Sequence, residues 1–412
     1  PVCFDRRSGS GQEVFSGRER EKANALFRCE NKQSNKARRK TAGAGRREKD
    51  GSEEMTETIR INAGKGYDVK IGPGLLQKAG DLAAETLRGK KAALFTDSVV
   101  AGLYADIVEE SFRQAGFETC RFVFPAGEDC KNMQTAAAFV DFMSEHHLTR
   151  KDAVITLGGG VAGDMGGFAA SIYMRGIDFI QIPTTLLAAV DSSVGGKTGV
   201  NISAGKNLMG SFWQPSLVLY DTGTFESLND DLILDGTAEI IKTAAIRDAS
   251  LLQLVEKSGI ESCLPDITAR CVKIKGGIVE KDEKESALRK ILNFGHTMAH
   301  AIEKDSEYRI SHGKAVAIGM LMVTQASEAA GMTEKGTYRK LFDLIASKGF
   351  ETSYPGADLK RLCQLATNDK KASGDSVSLV YIEKIGISSI CDVKLDQMQS
   401  FFEGEGQISL KR

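Results

Sequence analysis

The stretch Ala153-Val-Ile-Thr-Leu157 runs directly into Gly158-Gly159-Gly160-Val161, and Asp164 follows three residues later. A short apolar run that ends in glycines and continues into a helical pattern is typical of a strand, a tight turn and a helix start. Glycine lets the backbone approach an anion, and a helix N-terminus offers free N–H groups. A phosphate-binding turn and an ordinary turn both fit this stretch.

Further strand-like runs surround this turn, with helical patterns between most of them. They cover residues 92–96, 120–125, 179–183 and 217–220. Strands that alternate with helices predict a parallel sheet with crossover helices. After about residue 222 the patterns become helical, as at 238–247 and 315–330, apart from a strand-like run at 376–382. We therefore expect a Rossmann-like α/β nucleotide-binding domain over 55–222 and a mostly α-helical C-terminal domain over 223–412.

Bulk composition limits the class of protein. Of 412 residues, 42% are apolar and 26% charged, which is ordinary for a globular protein, and the net charge of −1 gives no general reason to bind nucleic acid or a membrane surface. No apolar run approaches the length of a membrane span. The eight cysteines include no Cys-x-x-Cys pair, which argues against a zinc ribbon and favours a reducing, cytoplasmic location.

Residues 1–54 differ from the rest of the chain. They carry 14 basic and 9 acidic residues, a net of +5, whereas the remainder carries 40 and 46, a net of −6. They have no hydrophobic periodicity, and we interpret them as a disordered or non-native extension, with Met55 as the expected true start. A basic arm that binds nucleic acid is the alternative, but acidic residues interrupt it and few aromatic residues accompany it.

Three of the five histidines lie close together in the sequence, at His296, His300 and His312. His296 and His300 are four residues apart, so in a helix they share a face. Glu239 lies in another helical stretch. Histidine and carboxylate ligands suit zinc, with three protein ligands and one open position. The spacing alone predicts His296 and His300 as a ligand pair, and it leaves open which two of the three histidines bind a metal.

Several polar residues follow strands or lie in small-residue loops. Asp97, and Glu128 with Lys131, follow the strand-like runs at 92–96 and 120–125. Ligands bind at the carboxyl ends of strands in open sheets, so Asp97 either takes ribose hydroxyls or caps a helix. Five cations have small, amide or apolar neighbours, a pattern that suits a substrate with phosphate and carboxylate groups: Lys197, Lys206, Lys242, Lys275 and Arg289.

Together these motifs resemble the 3-dehydroquinate synthase family within the sugar-phosphate cyclases. The resemblance extends from Met55 to the C-terminus and depends on Gly158 to Arg175, Asp191-Ser-Ser-Val-Gly-Gly-Lys197, Gly205-Lys-Asn207, Ala238-Glu239-Ile-Ile-Lys242, Asn293-Phe-Gly-His296-Thr-Met-Ala-His300-Ala-Ile-Glu303, His312-Gly and Asp369-Lys370-Lys371.

The resemblance implies a role for each matching residue. Zinc, with cobalt as a substitute, would be held by Glu239, His296 and His312, so the pairing from spacing would be wrong and His300 would lie in the site off the metal. NAD would be held by Asp97, Glu128, Lys131, Gly158, Gly159, Gly160, Asp164, Thr184, Thr185 and Lys206. Substrate anions would meet Lys197, Asn207, Lys242, Lys275, Arg289, Asn293 and one or both of Lys370 and Lys371. Asp191 would lie near the reacting carbons, and Arg175 would reach the partner's site in a homodimer.

The implied reaction converts the phosphorylated keto sugar acid 3-deoxy-D-arabino-heptulosonate 7-phosphate to 3-dehydroquinate and phosphate, in the shikimate pathway of aromatic amino acid biosynthesis. The nearest rivals are sister cyclases that make a deoxy-inosose, a valiolone or an amino-dehydroquinate. Retention of the motif from Asp191 to Lys197 favours a carboxylate-bearing substrate but leaves the amino variant open. A related polyol or alcohol dehydrogenase would release NADH and would not need so many cations, and a non-catalytic sensor would not need the full set.

Overall fold

The computed structural model describes residues 56–368, without the side chain of Asn368, and residues 375–404. The predictions for residues 1–54, for Met55 as the start and for Lys370 and Lys371 therefore lie outside the described residues. Every helix among the described residues is too short or too polar to cross a lipid bilayer.

A seven-stranded sheet forms the first half of the described chain. Its order is β1-β2-β9-β6-β5-β3-β4, and every neighbouring pair is parallel except β1 and β2, which are antiparallel. Two antiparallel ribbons, β7-β8 and β10-β11, lie outside this sheet. The strands are β1 (Glu57–Ile61), β2 (Tyr67–Gly72), β3 (Lys91–Asp97), β4 (Glu118–Phe124), β5 (Ala153–Gly158), β6 (Asp178–Pro183), β7 (Lys197–Ile202), β8 (Gly205–Phe212), β9 (Leu217–Asp221), β10 (Ser376–Lys384) and β11 (Ile387–Lys394).

The five strand-like runs of the first half are confirmed as β3, β4, β5, β6 and β9, and the later one as β10. The central strands carry continuous apolar runs because both faces of the sheet are buried. Leu94 and Ile155 pack on one face in one apolar cluster, whereas their neighbours Phe95 and Val154 pack on the other face in a second cluster. The predicted parallel sheet is correct for these five strands, whereas β1 and β2, which extend the same sheet, were missed.

Most helices lie in the second half of the chain, as predicted. They are α1 (Ala79–Ala84), α2 (Asp106–Gln114), α3 (Met133–Glu145), α4 (Gly160–Ile172), α5 (Asp230–Arg247), α6 (Ala249–Lys257), α7 (Leu264–Lys281), α8 (His296–Asp305), α9 (His312–Ala329), α10 (Thr337–Ser347), α11 (Leu359–Asn368) and α12 (Met398–Glu403). Shorter helical turns precede α2 at Ser98–Val100 and Ala101–Ala105, and others lie at Glu128–Cys130, Tyr173–Arg175, Ala188–Ser192, Thr222–Ser227, Glu261–Cys263, Leu288–Asn293 and Leu395–Gln397.

One apolar core joins the sheet to the helical half. It includes Val69 of β2 and Val218 of β9 together with Ile240 of α5, Val272 of α7 and Val316 of α9. The predicted boundary between the two domains, at 222/223, lies just before α5. It stays a prediction, because residues of the sheet and of the helices on either side of it are buried in the same apolar cluster.

Neighbouring strands place the polar loops of the first half side by side. Asp97 ends β3, Gly158 ends β5, and Thr184 follows β6 directly. Since these three strands are parallel neighbours, their carboxyl ends meet at one edge of the sheet. The ribbon of β7 and β8 comes after β6 along the chain, and β6 ends at this edge of the sheet. The sequence pattern did not predict these two strands, because they contain few apolar residues.

Candidate active site

One carboxylate and two imidazoles meet where α5, α8 and α9 come together. His296 Nε2 lies 3.7 Å from Glu239 Oε1, and His312 Nε2 lies 3.4 Å from the same oxygen. The three residues each offer a ligand atom, and these atoms lie within 4.8 Å of one another. Glu239 is buried in the middle of α5, whereas His296 and His312 are the first residues of α8 and α9.

A close crossing of α8 and α9 brings the two histidines together. Gly295 precedes His296 in a left-handed conformation, with φ of +81°, and a Cβ there would lie 2.7 Å from the backbone nitrogen of Met320. A Cβ on Gly319 in α9 would lie 2.1 Å from the carbonyl oxygen of Gly295. Both positions therefore require glycine, and together they set the separation of the two helices.

Asp235 fixes the start of α9 against α5. Its Oδ1 accepts hydrogen bonds from Ser311 Oγ at 2.6 Å and from the Gly313 N–H at 3.0 Å. A Cβ on Gly313 would lie 2.3 Å from the Cα of Asp235, so the two helices touch here backbone to backbone. Since Asp235 precedes Glu239 by four residues in α5, this contact also positions Glu239 relative to His312.

Glu239 lacks the hydrogen bonds that a buried carboxylate usually has. Both oxygens are shielded from solvent, and neither accepts a hydrogen bond of regular geometry from a described residue, although Lys242 Nζ lies 2.5 Å from Oε2. Burial alone would raise the pKa of Glu239, but Lys242, His312 and His296 outweigh it and hold the pKa well below its usual range. An ionised carboxylate whose oxygens lack hydrogen bonds, together with two imidazoles, forms the ligand set of a catalytic zinc site. These three residues therefore fit a zinc ion.

The two histidines differ in protonation. Burial lowers the pKa of His296 to about 3, so its imidazole is neutral at neutral pH. Its Nδ1 lies 3.2 Å from the carbonyl oxygen of Phe294, which leaves Nε2 towards Glu239. Burial also opposes charge on His312, but Glu239 and Glu303 outweigh it and raise the pKa to about 10. A metal ion would bind His296 without proton competition and would displace a proton from His312.

Asp191 connects two buried lysines to this cluster. Lys275 Nζ lies 3.0 Å from Asp191 Oδ1 and donates to the Asp191 carbonyl oxygen at 2.6 Å, and Lys242 Nζ lies 3.7 Å from Oδ1. Burial raises the pKa of Asp191, but the two lysines outweigh it and lower it to about 2. Burial lowers the pKa of Lys275 to about 8. Glu239, Lys242, Asp191 and Lys275 thus form a continuous line of alternating charge.

A second pairing involves Glu285, which precedes the helical turn at Leu288–Asn293. Its Oε1 accepts a hydrogen bond from Asn293 Nδ2 at 2.6 Å, and its Oε2 pairs with Lys197 Nζ. The Lys197 side chain is 51% exposed, so its ammonium group is accessible from solvent. The structure thus brings Lys197 and Asn293 together through an acid that the sequence analysis did not select.

Arg289 is bound to backbone and buried. Its guanidinium donates to the carbonyl oxygens of Glu283 at 2.5 Å and Gly195 at 3.0 Å, and it lies 5.7 Å from the ring centroid of Phe212. Its Nε has no hydrogen-bond partner among the described residues. Arg289 therefore supports the Gly195 loop in this conformation, and its predicted contact with a substrate anion stays a prediction.

The glycine turn after β5 packs tightly against the end of β6. Gly158 adopts φ of +153°, and a Cβ there would lie 2.8 Å from Ala162 Cβ. The Thr184 N–H donates to the carbonyl oxygen of Gly158 at 2.9 Å, and a Cβ on Gly159 would lie 3.1 Å from Thr185 Cγ2. Gly159 is the N-cap of α4 and Gly160 its first residue, so no capping side chain occupies the free N–H groups of this helix.

Two polar pairs lie near this turn. Lys131 is buried, and its Nζ lies 2.6 Å from Asp164 Oδ2. Burial would lower the pKa of Lys131, but Asp164 and Glu128 outweigh it and raise the pKa. Glu128 Oε1 accepts a hydrogen bond from Asn201 Nδ2 at 2.8 Å. These contacts tie the loop after β4 to α4 and to the β7-β8 ribbon.

Asp97 acts as a helix cap. Its Oδ1 accepts hydrogen bonds from the N–H groups of Val99 at 2.8 Å and Val100 at 3.0 Å. Its Oδ2 would lie 3.4 Å from a Cβ on Gly158, so the same carboxylate borders the glycine turn. Of the two interpretations from sequence, the cap is therefore confirmed, and contact with a ribose stays a prediction.

Lys206 and Asn207, at the start of β8, differ in what they contact. Lys206 Nζ lies 3.4 Å from Glu303 Oε1 and 4.0 Å from the ring centroid of Tyr308, which directs it towards the histidines. Asn207 has φ of +57°, and its N–H donates to Asn201 Oδ1 at 2.9 Å, within the ribbon. The predicted roles of both in ligand binding stay predictions.

His300 borders the three-residue cluster from one turn further along α8. Its ring centroid lies 5.6 Å from that of His296 and 6.3 Å from that of His312. His312, rather than His300, is the second imidazole beside Glu239. Arg175 is exposed, with φ of +69° and no ion pair to a described residue, and it is not brought to the cluster.

Comparison with known proteins identifies the family. Residues 121–235 match the N-terminal family model of 3-dehydroquinate synthase, and residues 236–372 match its C-terminal family model. The 3-dehydroquinate synthase of Enterococcus faecalis OG1RF is 41% identical over 347 residues, which is 83% of this chain and 97% of that protein. The chain belongs to the 3-dehydroquinate synthase family. Another member of the family, from Clostridium kluyveri, is 40% identical over 342 residues, 82% of this chain and 95% of that protein.

Solved structures of sugar-phosphate cyclases share the fold of this family member. The 2-epi-5-epi-valiolone synthase of Streptomyces hygroscopicus, with NAD+ and Zn2+ bound, superposes with a TM-score of 0.74 at 26% identity, covering 82% of this chain and 96% of that one. A 2-deoxy-scyllo-inosose synthase in complex with carbaglucose-6-phosphate, NAD+ and Co2+ has a TM-score of 0.75 at 21% identity, covering 84% and 99%. At that identity the second likeness shows the fold alone.

Sequence reasoning missed two acids that the structure places among the site residues of this synthase family member. Glu303 follows His296 by seven residues and His300 by three, so the helical period put all three on one face of α8. The helical spacing could therefore have identified Glu303 from the sequence. Glu285 lies in the charged run Glu280-Lys-Asp-Glu-Lys-Glu285, whose composition is that of a solvated surface, and no local pattern marked it.

Proposed function

We propose that the chain catalyses the reaction of its family, the conversion of 3-deoxy-D-arabino-heptulosonate 7-phosphate to 3-dehydroquinate and phosphate. The observation that carries the proposal is the line of charge that connects Glu239 and its two histidines to Asp191, Lys242 and Lys275. A metal site alone would suit many reactions. A metal site bordered by buried lysines suits a substrate that carries both hydroxyls and anionic groups.

Glu239, His296 and His312 are the proposed zinc ligands, and cobalt is the proposed substitute. Support comes from the unsatisfied oxygens of Glu239 and from the neutral His296. Zinc bound there would supply Lewis acidity to a substrate hydroxyl. Lys242 and Lys275 hold Asp191 ionised and fixed in position, so its carboxylate can orient substrate hydroxyls near the metal.

The sheet edge is the proposed NAD site, formed by Asp97, Glu128, Lys131, Gly158, Gly159, Gly160, Asp164, Thr184, Thr185 and Lys206. The uncapped start of α4 supports it, because free N–H groups bind diphosphate oxygens. NAD bound there would accept a hydride from the substrate and return it later. Lys206 Nζ lies 3.4 Å from Glu303 Oε1 in this structure, and its three N–H donors allow it to keep this ion pair while it contacts NAD.

The substrate's phosphate and carboxylate are proposed to meet Lys197, Asn207, Lys242, Lys275, Arg289, Asn293 and one or both of Lys370 and Lys371, with His300 close by. Lys197 supports this because its side chain is half exposed, more than the side chains of the other described cations in this set. Its partner Glu285 would have to yield to the incoming anion. Positioning and neutralisation of charge are thus the main contributions of the protein.

Assembly, location and domain boundaries remain proposals too. A homodimer is supported by exposed Arg175, which lies beside exposed Met174 and near exposed Ile172. The unpaired cysteines of the described chain are compatible with a reducing cytoplasm. The two proposed domains cover 55–222 and 223–412. Light scattering of the purified protein tests the dimer, and a monomeric, fully active enzyme would contradict it.

The reaction is tested by giving the purified protein the proposed substrate, zinc and a catalytic amount of NAD. Steady phosphate release with no net absorbance from NADH is the expected result, because the redox steps cancel. Accumulating NADH would identify a dehydrogenase instead, and no phosphate release would contradict the proposal. Product analysis by mass spectrometry separates 3-dehydroquinate from the amino-substituted product.

A further inference from the structure

Glu303 is a buried acid with two cationic neighbours from different parts of the fold. It lies near the end of α8, and its side chain is only 7% exposed. Its Oε2 lies 3.5 Å from His312 Nδ1 in α9, and its Oε1 lies 3.4 Å from Lys206 Nζ in β8. A buried carboxylate is costly unless it is paired, so this arrangement requires a partner at each oxygen.

The two nitrogens of His312 face two different carboxylates. Nε2 lies 3.4 Å from Glu239 Oε1, whereas Nδ1 lies 3.5 Å from Glu303 Oε2. The two nitrogens of His296 also face different oxygens. Nδ1 lies 3.2 Å from the Phe294 carbonyl oxygen, and Nε2 faces Glu239. In metal sites, an imidazole that binds through one nitrogen usually donates its other N–H to a carboxylate or a carbonyl oxygen.

We infer that Glu303 is the positioning residue of the metal centre, and that it holds His312 with its proton on Nδ1 and its Nε2 lone pair directed at the metal. The inference rests on the proposed function, since it assumes the zinc site of Glu239, His296 and His312. Glu303 itself touches neither the metal nor the substrate. It fixes the tautomer and ring orientation of a ligand, as the Phe294 carbonyl oxygen does for His296.

Lys206 is the second anchor of Glu303. Its ammonium group lies between Glu303 Oε1 and the ring of Tyr308, so one carboxylate is held between a lysine and an imidazole. Two partners leave the carboxylate one orientation that satisfies both. Loss of the negative charge would disturb both contacts, because an amide in place of the carboxylate offers only one accepting atom.

The competing possibility is that Glu303 binds a metal ion directly. His300, Glu303 and His312 also have ligand atoms within 4.8 Å of one another. Such a site would use His312 Nδ1, which faces Glu303, and would then compete for an imidazole already placed beside Glu239. We favour the positioning role because it uses both nitrogens of His312 without conflict. Metal stoichiometry separates the two.

Zinc affinity of the full chain, measured by competition with a chromophoric chelator, tests the inference. Glu303→Ala is expected to weaken zinc binding by about 10- to 100-fold. Glu303→Gln should lie between this variant and the parent, because the amide oxygen can still accept the Nδ1 proton. Glu256→Gln is the matched control, since Glu256 is an exposed glutamate in α6, and its zinc affinity should equal that of the parent.

Two further measurements make the outcome decisive. The visible spectrum of the cobalt-substituted protein should change in both Glu303 variants at an unchanged stoichiometry of one metal, which a merely structural role would not produce. Folded Glu303 variants with parental zinc affinity and cobalt spectrum would overturn the inference, as would loss of a second metal equivalent. The His312→Ala variant separates failure of the proposed metal centre from failure of the proposed role of Glu303. If His312→Ala retains parental zinc affinity, the proposed metal centre is wrong. If His312→Ala loses zinc affinity and the Glu303 variants do not, only the proposed role of Glu303 is wrong.

Discussion

Replacing Gly319 with alanine should damage the metal centre without touching a ligand. The new Cβ would lie 2.1 Å from the carbonyl oxygen of Gly295, where ordinary contact begins at 3.4 Å, so α8 and α9 must separate by about 1 Å. His296 and His312 are the first residues of these helices and would move apart with them. Zinc sites tolerate distance changes of only about 0.2 Å, so the shift exceeds what the site can absorb.

A misplacement of about 1 Å commonly costs about 100-fold in rate, and overpacking costs a further 1–3 kcal/mol or so of stability. Zinc affinity and kcat of Gly319→Ala should thus both fall by about 100-fold, measured by chelator competition and by phosphate release. Gly277→Ala is the control, because no atom lies within 4 Å of its added Cβ, and it should be as active as the parent. A folded Gly319→Ala protein with parental zinc affinity would refute the argument that these glycines set the ligand spacing.

The remaining predictions concern single side chains. His296→Ala should abolish zinc binding and activity yet retain NAD affinity by calorimetry, and an active zinc-free variant would refute the ligand assignment. Lys275, whose pKa burial lowers to about 8, is charged below that pH and neutral above it, so kcat/KM should fall as pH rises through about 8. Lys275→Arg should move that fall to higher pH, and an unshifted profile would exclude Lys275 as its source. Lys131→Met should cost about 3 kcal/mol in urea unfolding because it leaves Asp164 without its partner, and a loss below about 1 kcal/mol would contradict this.

Local patterns in the sequence predicted much of the fold. The strands β3, β5 and β6 could be predicted from their continuous apolar runs, because strands buried on both faces need apolar residues at nearly every position. The glycine turn could be predicted too, because the backbone at Gly158 adopts a conformation that other residues rarely adopt. Edge strand β1 alternates less clearly, with only two of its five residues buried, and it was missed.

Contacts between distant residues were not predictable in the same way. Spacing paired His296 with His300, but the imidazole beside Glu239 belongs to His312, which α9 brings back towards α5. The grouping with His312 came only from resemblance to the family. Glu285 is distinguished by its contacts with Lys197 and Asn293, and those depend on chain segments 88 and 8 residues away. Neither tertiary contact leaves a periodic trace in the sequence.

The shared core has a consequence for how this enzyme could be divided. The two family models meet between residues 235 and 236, which lies inside α5, and a Cβ on Gly236 would lie 2.4 Å from Leu186 Cγ. A cut at that border would sever a helix and strip Val69 and Val218 of their helical covering. The modules recognised in the sequence are thus not separable building blocks. Chimaeras that exchange halves between relatives will fold only where the donor keeps a complementary surface against Leu186.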